Sequence, residues 1–121
     1  MKRLILLSLP ILFSSVAVFA SQKSVVCYMK GIEEPISFVI PNKTGNLPTI
    51  DFPYPVNVTR FSMRADNLLL IAMDKEEADR PRIFISAQLN KHTQTYKGQF
   101  MSDLGGNQLQ LDNGSVRCEL K

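Results

Sequence analysis

The chain contains only two cysteines, Cys27 and Cys118. They lie near opposite ends of the part of the chain that follows the apolar N-terminal segment. Each stands in a run of alternating apolar and polar residues, which predicts a strand with the cysteine on its inner face. In an exported protein, an even pair of this kind predicts a disulfide, and the C-x-x-C spacing of a redox-active pair is absent. Closing a loop of about 90 residues would stabilise the fold by about 4 to 5 kcal/mol in the chain-entropy model. The fold must therefore bring its first and last strands together.

The N-terminal segment predicts export. A basic start, Met1-Lys2-Arg3, precedes an apolar stretch that ends at Ala20. In Val18-Phe19-Ala20, the positions that a signal peptidase reads have small or modest side chains, so we expect residues 1–20 to be a cleaved secretory signal peptide, cut between Ala20 and Ser21. The alternative is a membrane anchor, but no basic stop-transfer cluster follows Ala20. We expect a bacterial periplasmic or secreted protein with no membrane anchor after cleavage.

Cleavage would leave residues 21–121, a length of 101 residues that fits one β domain with a single core. Because Lys2 and Arg3 are removed with the signal, the formal net charge falls from +3 to +1. No remaining segment gathers Lys and Arg into a phosphate-binding stripe. Nucleic acid is therefore not an expected partner.

Short alternating segments between turn residues predict an all-β fold. Residues 36–40 have apolar side chains at alternate positions between two prolines, which is typical of an edge strand. Residues 82–89 alternate in the same way, and the polar run 90–92 predicts a hairpin into residues 93–101. These segments predict a small antiparallel meander of seven to eight strands, forming a barrel or a sandwich, with the N- and C-terminal strands linked by the disulfide.

Three local patterns predict finer features. The apolar run 68–73 fits a buried strand or a short buried helix, and its strand-like neighbours favour the strand. Val58 and Phe61 fall on opposite faces of a continuous strand, which predicts a bulge or break between them. The pair Asn113-Gly114, between two alternating segments, predicts the type I′ turn of a C-terminal hairpin.

The candidates for catalysis and metal binding are few. His92 is the only histidine, and it lies among turn residues with no nucleophile motif beside it, so we predict no catalytic residue and interpret the protein as not an enzyme. Residues 74–79 hold four carboxylates but lack the spacing of an EF-hand, and Arg80 and Arg82 offset their charge, which predicts a solvated loop. One histidine and two bonded cysteines leave no zinc set. We expect no metal and no cofactor.

The segment 48–55 is the best candidate for binding a partner. It alternates prolines with Phe52 and Tyr54, so its backbone is stiff and its two rings would lose little freedom on association. The alternative is that these rings cap one end of the barrel. Phe52 and Tyr54 are therefore the predicted partner-binding residues, with exposure of both rings favouring that role.

Three classes of function remain open. The leading one is a noncatalytic envelope protein that binds a protein or polymer partner through loops and exposed strand surface. The others are a carrier with a small ligand inside a β-barrel, which needs an internal cavity, and a small secreted enzyme that uses His92. In size, export and disulfide use, the chain is similar to bacterial inhibitors of host lysozyme. This resemblance of layout implies an alternative function within the binding class, namely inhibition of a cell-wall hydrolase. The chain has no recognisable inhibitor motif, so no residue roles are transferred from those inhibitors.

Overall fold

The computed structural model describes residues 23–121, so the predicted signal peptide and its cleavage point between Ala20 and Ser21 lie outside the described residues. Within that range the chain forms seven strands and no helix. The strands are β1 (Ser24–Met29), β2 (Ile36–Val39), β3 (Val56–Arg64), β4 (Asn67–Asp74), β5 (Pro81–Asn90), β6 (Thr95–Asp103) and β7 (Leu111–Leu120).

The strands form one antiparallel sheet in the order β2-β1-β7-β6-β5-β4-β3. From β3 to β7 each strand pairs with the next along the chain, so this part is a meander. The first strand meets the last, because β1 pairs with β7 on one side and with β2 on the other. The predicted all-β antiparallel fold is confirmed, as a single sheet curled into a half-barrel.

The disulfide joins the first and last strands of the chain, β1 and β7, inside the core. Cys27 of β1 lies directly opposite Cys118 of β7, with their Cα atoms 4.0 Å apart and their sulfurs bonded. Both cysteines are fully buried, as the alternation of their strands predicts. The bond is consistent with an oxidising compartment.

The core lies on the concave face of the curled sheet. Its largest members are inward-facing aliphatic and aromatic side chains, among them Ile36, Leu68, Leu70, Ile83, Ile85, Tyr96 and Phe100. The two edge strands meet through their side chains, because the ring of Phe38 in β2 packs edge-to-face on that of Phe61 in β3, with centroids 5.4 Å apart. Aromatic packing therefore bridges the open side of the half-barrel.

Two backbone features of β3 and β6 are of the kind that bends a sheet. The pairing of β3 with β4 shifts register between Val58 and Arg60, which confirms the predicted bulge. In β6, a Cβ at Gly98 would overlap the backbone oxygen of Ser86, so the two strands approach more closely than a side chain would allow. Bulges and glycines of this kind bend strands and increase twist.

The predicted hairpin at Asn113-Gly114 is wrong, because both residues lie within the continuous strand β7. Asn113 pairs with Met101 and Gly114 with Phe100, and neither has the positive φ of a type I′ turn. An added Cβ at Gly114 would lie 3.4 Å from the ring of Phe100. This glycine makes room for an aromatic neighbour, and pairing with two flanking strands outweighs the local turn preference.

The other strand predictions are confirmed. Residues 68–73 lie within β4, with alternate side chains buried and the others half-buried on the convex face. In the polar run 90–92, Asn90 ends β5, and Lys91 and His92 begin the turn to β6. The short strand β2 lies at an edge of the sheet, as its flanking prolines predicted.

Candidate binding groove

A groove with a volume of about 700 Å³ opens at one end of the half-barrel. Three parts of the chain form its walls, namely the β1–β2 connection, residues 51–53 before β3, and the β6–β7 connection. We call it the acidic groove. Its floor is apolar and contains Met29, Ile32, Ile36, Phe52 and Leu104, and its rim carries the carboxylates Glu33, Glu34, Asp51 and Asp112.

The charge of the groove has a single sign, because none of its lining residues is a lysine, arginine or histidine. Glu33, Glu34 and Asp51 are exposed, and Asp112 is half-buried. Carboxylates placed around an apolar floor focus a negative potential into the space between them. The groove therefore favours a ligand that combines positive charge with apolar surface.

The groove also contains a hydroxyl without a protein partner. Ser102 is only 2 % exposed, and its side chain lies on the concave face between Ile83 and Asp112 of the neighbouring strands. Its Oγ is the buried side-chain polar atom that has no hydrogen-bond partner among residues 23–121. Buried hydroxyls are nearly always hydrogen-bonded, so Ser102 is an exception, and its hydroxyl lies beneath the surface of the groove.

One wall of the groove is held by a buried pair of ions. Arg80 donates from Nε to Oδ2 of Asp103 at 2.7 Å, and the two side chains are 8 % and 1 % exposed. Arg80 also donates to the backbone oxygens of Gly105 and Gly106, at 3.1 and 2.7 Å. Asp103 Oδ1 in turn accepts the backbone N–H groups of Gly105 and Gln110. The loop after β6 is therefore fastened at several points along its length.

A second buried pair extends this cluster. Arg82 donates from Nε to Oδ2 of Asp74 at 2.7 Å, and from one terminal nitrogen to the backbone oxygens of Asp103 and Gly105. Asp74 Oδ1 accepts the backbone N–H groups of Glu76 and Glu77, which forms the turn after β4. We call Arg80, Arg82, Asp74 and Asp103 together the ion-pair cluster.

Hydrogen bonding keeps the carboxylates of the cluster charged. The backbone N–H of Glu77 and, after it, the Arg82 side chain lower the pKa of Asp74 to about 2. The hydrogen bond from Arg80 holds the pKa of Asp103 well below its ordinary value, and the same bond raises the pKa of Arg80. Two arginines therefore face two ionised aspartates at neutral pH, and the cluster is close to electrically balanced.

The two predicted partner-binding residues, Phe52 and Tyr54, have different surroundings in the structure. Phe52 is half-buried and forms part of the groove floor. The ring of Tyr54 lies under the guanidinium of Arg82, 4.0 Å from it, and its hydroxyl donates to the backbone oxygen of Leu104 at 3.2 Å. The geometry thus gives Tyr54 a packing role in the wall, and binding by either residue stays a prediction.

The prediction of a solvated loop for residues 74–79 is wrong at its first residue, Asp74, and Arg80 directly after the loop is also buried. Asp74 and Arg80 are buried in the ion-pair cluster, and only the residues between them are exposed. The sequence contains one local signal for the role of Asp74, because an aspartate at the start of a turn often accepts backbone N–H groups a few residues further on, as Asp74 does from Glu76 and Glu77. The pairing of Arg80 with Asp103 depends on distant strands and has no such signal.

The structure shows where the remaining candidates lie. His92 is exposed in the β5–β6 turn, where its backbone N–H donates to the side chain of Asn90. Across residues 23–121 no group of three or more histidine, cysteine, aspartate or glutamate side chains has a metal-binding arrangement. Among residues 23–121 the structure has no helix with the length and apolar composition of a membrane span.

No protein-family model, curated protein or solved structure matches this chain. The function proposed below therefore depends on the geometry and charge of the acidic groove.

Proposed function

We propose that this is a noncatalytic binding protein of the bacterial periplasm or exterior, and that it holds a segment of a partner protein in the acidic groove. The observation that carries the proposal is the combination of an apolar floor with four rim carboxylates and no basic lining residue. An extended protein segment with apolar and basic side chains complements both features. Export by a cleaved signal is part of the proposal, and the disulfide agrees with it.

The rigidity of the walls supports binding without a large rearrangement. The disulfide lies in the strands next to one wall, and the ion-pair cluster fastens the loop that forms another. A preformed site loses less conformational freedom on association than a flexible one. Phe52 offers an aromatic ring to the ligand from a segment stiffened by prolines, which is the kind of anchor that dominates binding energy.

The same geometry gives less support to the alternatives. A carrier holds its ligand in an enclosed interior, whereas this groove lies between loops at one end of the sheet. The catalytic clefts of glycoside hydrolases contain paired carboxylates, and an inhibitor that enters such a cleft would meet repulsion if it presented this acidic rim. Hydrolase inhibition would therefore need another surface of the protein.

The test uses residues 21–121 and two fluorescent peptides of equal length, one alternating leucine with lysine and one alternating leucine with glutamate. We expect the lysine peptide to bind with a Kd at least tenfold below that of the glutamate peptide. Phe52→Ala should raise the Kd for the lysine peptide about tenfold, since it removes an aromatic anchor. The matched control is Phe84→Ala, because Phe84 is exposed on the convex face and does not line the groove.

Fluorescence anisotropy gives the dissociation constants, and thermal melts confirm that each variant is folded. Equal affinities for the two peptides would contradict the charge-based proposal. An equal effect of Phe52→Ala and Phe84→Ala would place binding outside the acidic groove.

A further inference from the structure

The convex face of the sheet has a charge distribution opposite to that of the acidic groove. Three rows of register partners cross this face from β3 to β7, and each of their residues is exposed or half-buried. The first row is Arg60, Ile71, Phe84, Met101 and Asn113, the second is Ser62, Leu69, Ser86, Gln99 and Ser115, and the third is Arg64, Asn67, Gln88, Lys97 and Arg117. We call these three rows the basic face, because they contain four cations and no carboxylate.

The cations of the basic face have few partners within the protein. Among residues 23–121, Arg60, Arg64 and Lys97 form no ion pair, whereas Arg117 contacts Glu119 at 3.3 Å beside the face. Lys97 and Arg117 lie directly opposite each other in β6 and β7, and like charges in that arrangement destabilise a sheet. The basic face therefore has positive charge that an external anion would balance.

An apolar band lies between the cations of the basic face. Ile71, Phe84 and Met101 are direct partners on three neighbouring strands, so their side chains form one continuous band about 10 Å wide. Phe84 and Met101 are each 37 % exposed, and Ile71 is half-buried. Arg60 ends this row on the β3 side, and Lys97 precedes Met101 in β6. Contiguous exposed apolar side chains with polar residues around them mark sites of contact with proteins or membranes.

We propose that the basic face docks the protein on the surface of a membrane that contains anionic phospholipids. The cations contact the lipid phosphates, and the apolar band packs between the head groups. A fluid bilayer adapts to a convex surface, so docking needs no preformed cavity. The acidic groove opens at one end of the half-barrel, so a protein docked through its convex face keeps the groove open to a ligand.

Other occupants match the basic face less well. A second copy of this chain would bring two faces of the same sign together, and their cations would repel each other. A soluble linear polyanion would contact the cations and leave the apolar band in water. An acidic protein surface is the competing class of partner that an experiment must separate from a membrane.

Co-sedimentation of residues 21–121 with phospholipid vesicles tests the proposal. One set of vesicles contains phosphatidylcholine alone, and the other is an equal mixture of phosphatidylcholine and phosphatidylglycerol. We expect the apparent Kd to be at least tenfold lower on the anionic vesicles, because each cation near an anionic surface favours binding. Raising NaCl from about 0.1 M to about 1 M shortens the screening length from about 10 Å to about 3 Å, so it should release most of the bound protein.

Charge-neutralising variants locate the contact on the basic face. Arg60→Gln combined with Lys97→Gln should raise the Kd for anionic vesicles about 25-fold, since the loss of each cation costs about fivefold. The matched control is Lys43→Gln combined with Lys75→Gln. It lowers the net charge equally, from exposed positions in the β2–β3 and β4–β5 connections. We expect this control to change the Kd less than threefold.

The apolar band is tested separately. Phe84→Ala should raise the Kd for anionic vesicles at least threefold, because it removes the aromatic ring from the centre of the band. Leu47→Ala is its control, since Leu47 is 50 % exposed in the β2–β3 connection and lies outside the basic face. Thermal melts confirm that each variant is folded.

The outcomes separate the basic face from the acidic groove and from other partners. Equal binding to both kinds of vesicle, or an equal effect of the two double variants, would refute the role of the basic face. Absence of binding to anionic vesicles would overturn the membrane proposal. If soluble polyglutamate binds instead, and Arg60→Gln with Lys97→Gln weakens it, the face belongs to an acidic protein partner. Phe52→Ala should leave vesicle binding unchanged, so this result is independent of the peptide tests of the groove.

Discussion

Arg82 stacks on Tyr54, with the guanidinium carbon 4.0 Å from the centroid of the aromatic ring. Arg82 also donates to the backbone oxygens of Asp103 and Gly105, and Tyr54 donates to that of Leu104. One buried side chain therefore links the segment before β3 to the loop after β6. These are two of the three walls of the acidic groove, so the shape of the groove depends on this contact.

Replacement of Arg82 tests that dependence. We expect Arg82→Met to lower the free energy of unfolding by about 3 to 5 kcal/mol, because the Asp74 carboxylate loses its buried ionic partner. Two backbone oxygens also lose their donor. Urea unfolding measures the change. Lys91→Met is the control, since its ion pair with Asp66 is exposed and contributes at most about 1 kcal/mol. A loss below about 1 kcal/mol for Arg82→Met would show that the cluster is not a stabilising element.

The same cluster predicts acid sensitivity. The pKa of Asp74 falls from 3.8 to about 2 in the folded protein, and that of Asp103 also lies below its ordinary value. At a pH between the folded and the unfolded pKa of these aspartates, the unfolded chain binds more protons than the folded one. The free energy of unfolding must therefore decrease as the pH falls. The contribution is fully present above about pH 5 and is lost progressively as the pH drops through the folded pKa values.

Urea unfolding at a series of pH values from 6 to 2 measures this slope. Asp103→Asn removes one of the two groups, so we expect a lower stability at pH 7 and a shallower decline in acid. Asp79→Asn serves as the control, because Asp79 is exposed. A decline in Asp103→Asn as steep as in the wild type would assign the acid sensitivity to other carboxylates.

The strands were predictable because their signals are local. The alternation of apolar and polar residues identified β1, β2 and β5. The positions of Cys27 and Cys118 in that alternation placed both sulfurs on the buried face of the sheet. The bulge after Val58 could be predicted because two apolar residues fell on opposite faces of one strand. In each case, a few consecutive residues are enough to predict the feature.

The acidic groove and the ion-pair cluster have no local signal of this kind. Ser102 and Asp112 become neighbours through the pairing of β6 with β7, which the predicted hairpin at Asn113-Gly114 misplaced. Arg80 reaches Asp103 across a sequence separation of 23 residues. Charged residues near a turn are most often solvated. The burial of Arg80 and Asp103 depends on the order of the strands in the sheet, which the strand propensities of single residues do not determine.

The disulfide predicts an uneven distribution of stability. Replacing both Cys27 and Cys118 with alanine should lower the free energy of unfolding by roughly 4 kcal/mol, because the closed loop spans most of the domain. In the sheet, β1 pairs with the meander through β7, and β2 contacts β3 through side chains such as Phe38 and Phe61 and not through strand pairing, so we expect β1 and β2 to open first. Hydrogen exchange by mass spectrometry should show faster exchange in β1 and β2 than in β5 of this variant. Equal protection of these three strands would contradict the expectation.

The turn between β3 and β4 has a strained conformation that a single substitution should relieve. Ala65 and Asp66 have φ values of 54° and 65°, the two positive angles of a type I′ turn. Alanine is disfavoured there by the contact of its Cβ with the following carbonyl oxygen, whereas asparagine tolerates this region. We expect Ala65→Asn to raise the free energy of unfolding by up to about 1 kcal/mol.

Ala65→Val should act in the opposite direction and cost more than about 1 kcal/mol, since a β-branched side chain is a genuine outlier at positive φ. Ala78→Asn is the control for the side chain itself, because Ala78 is exposed and has a negative φ. Chemical denaturation of the three variants gives the order of their stabilities. If Ala65→Asn is no more stable than the wild type while Ala65→Val is equally stable, the turn imposes no steric selection, and another feature determines the pairing register of β3 with β4.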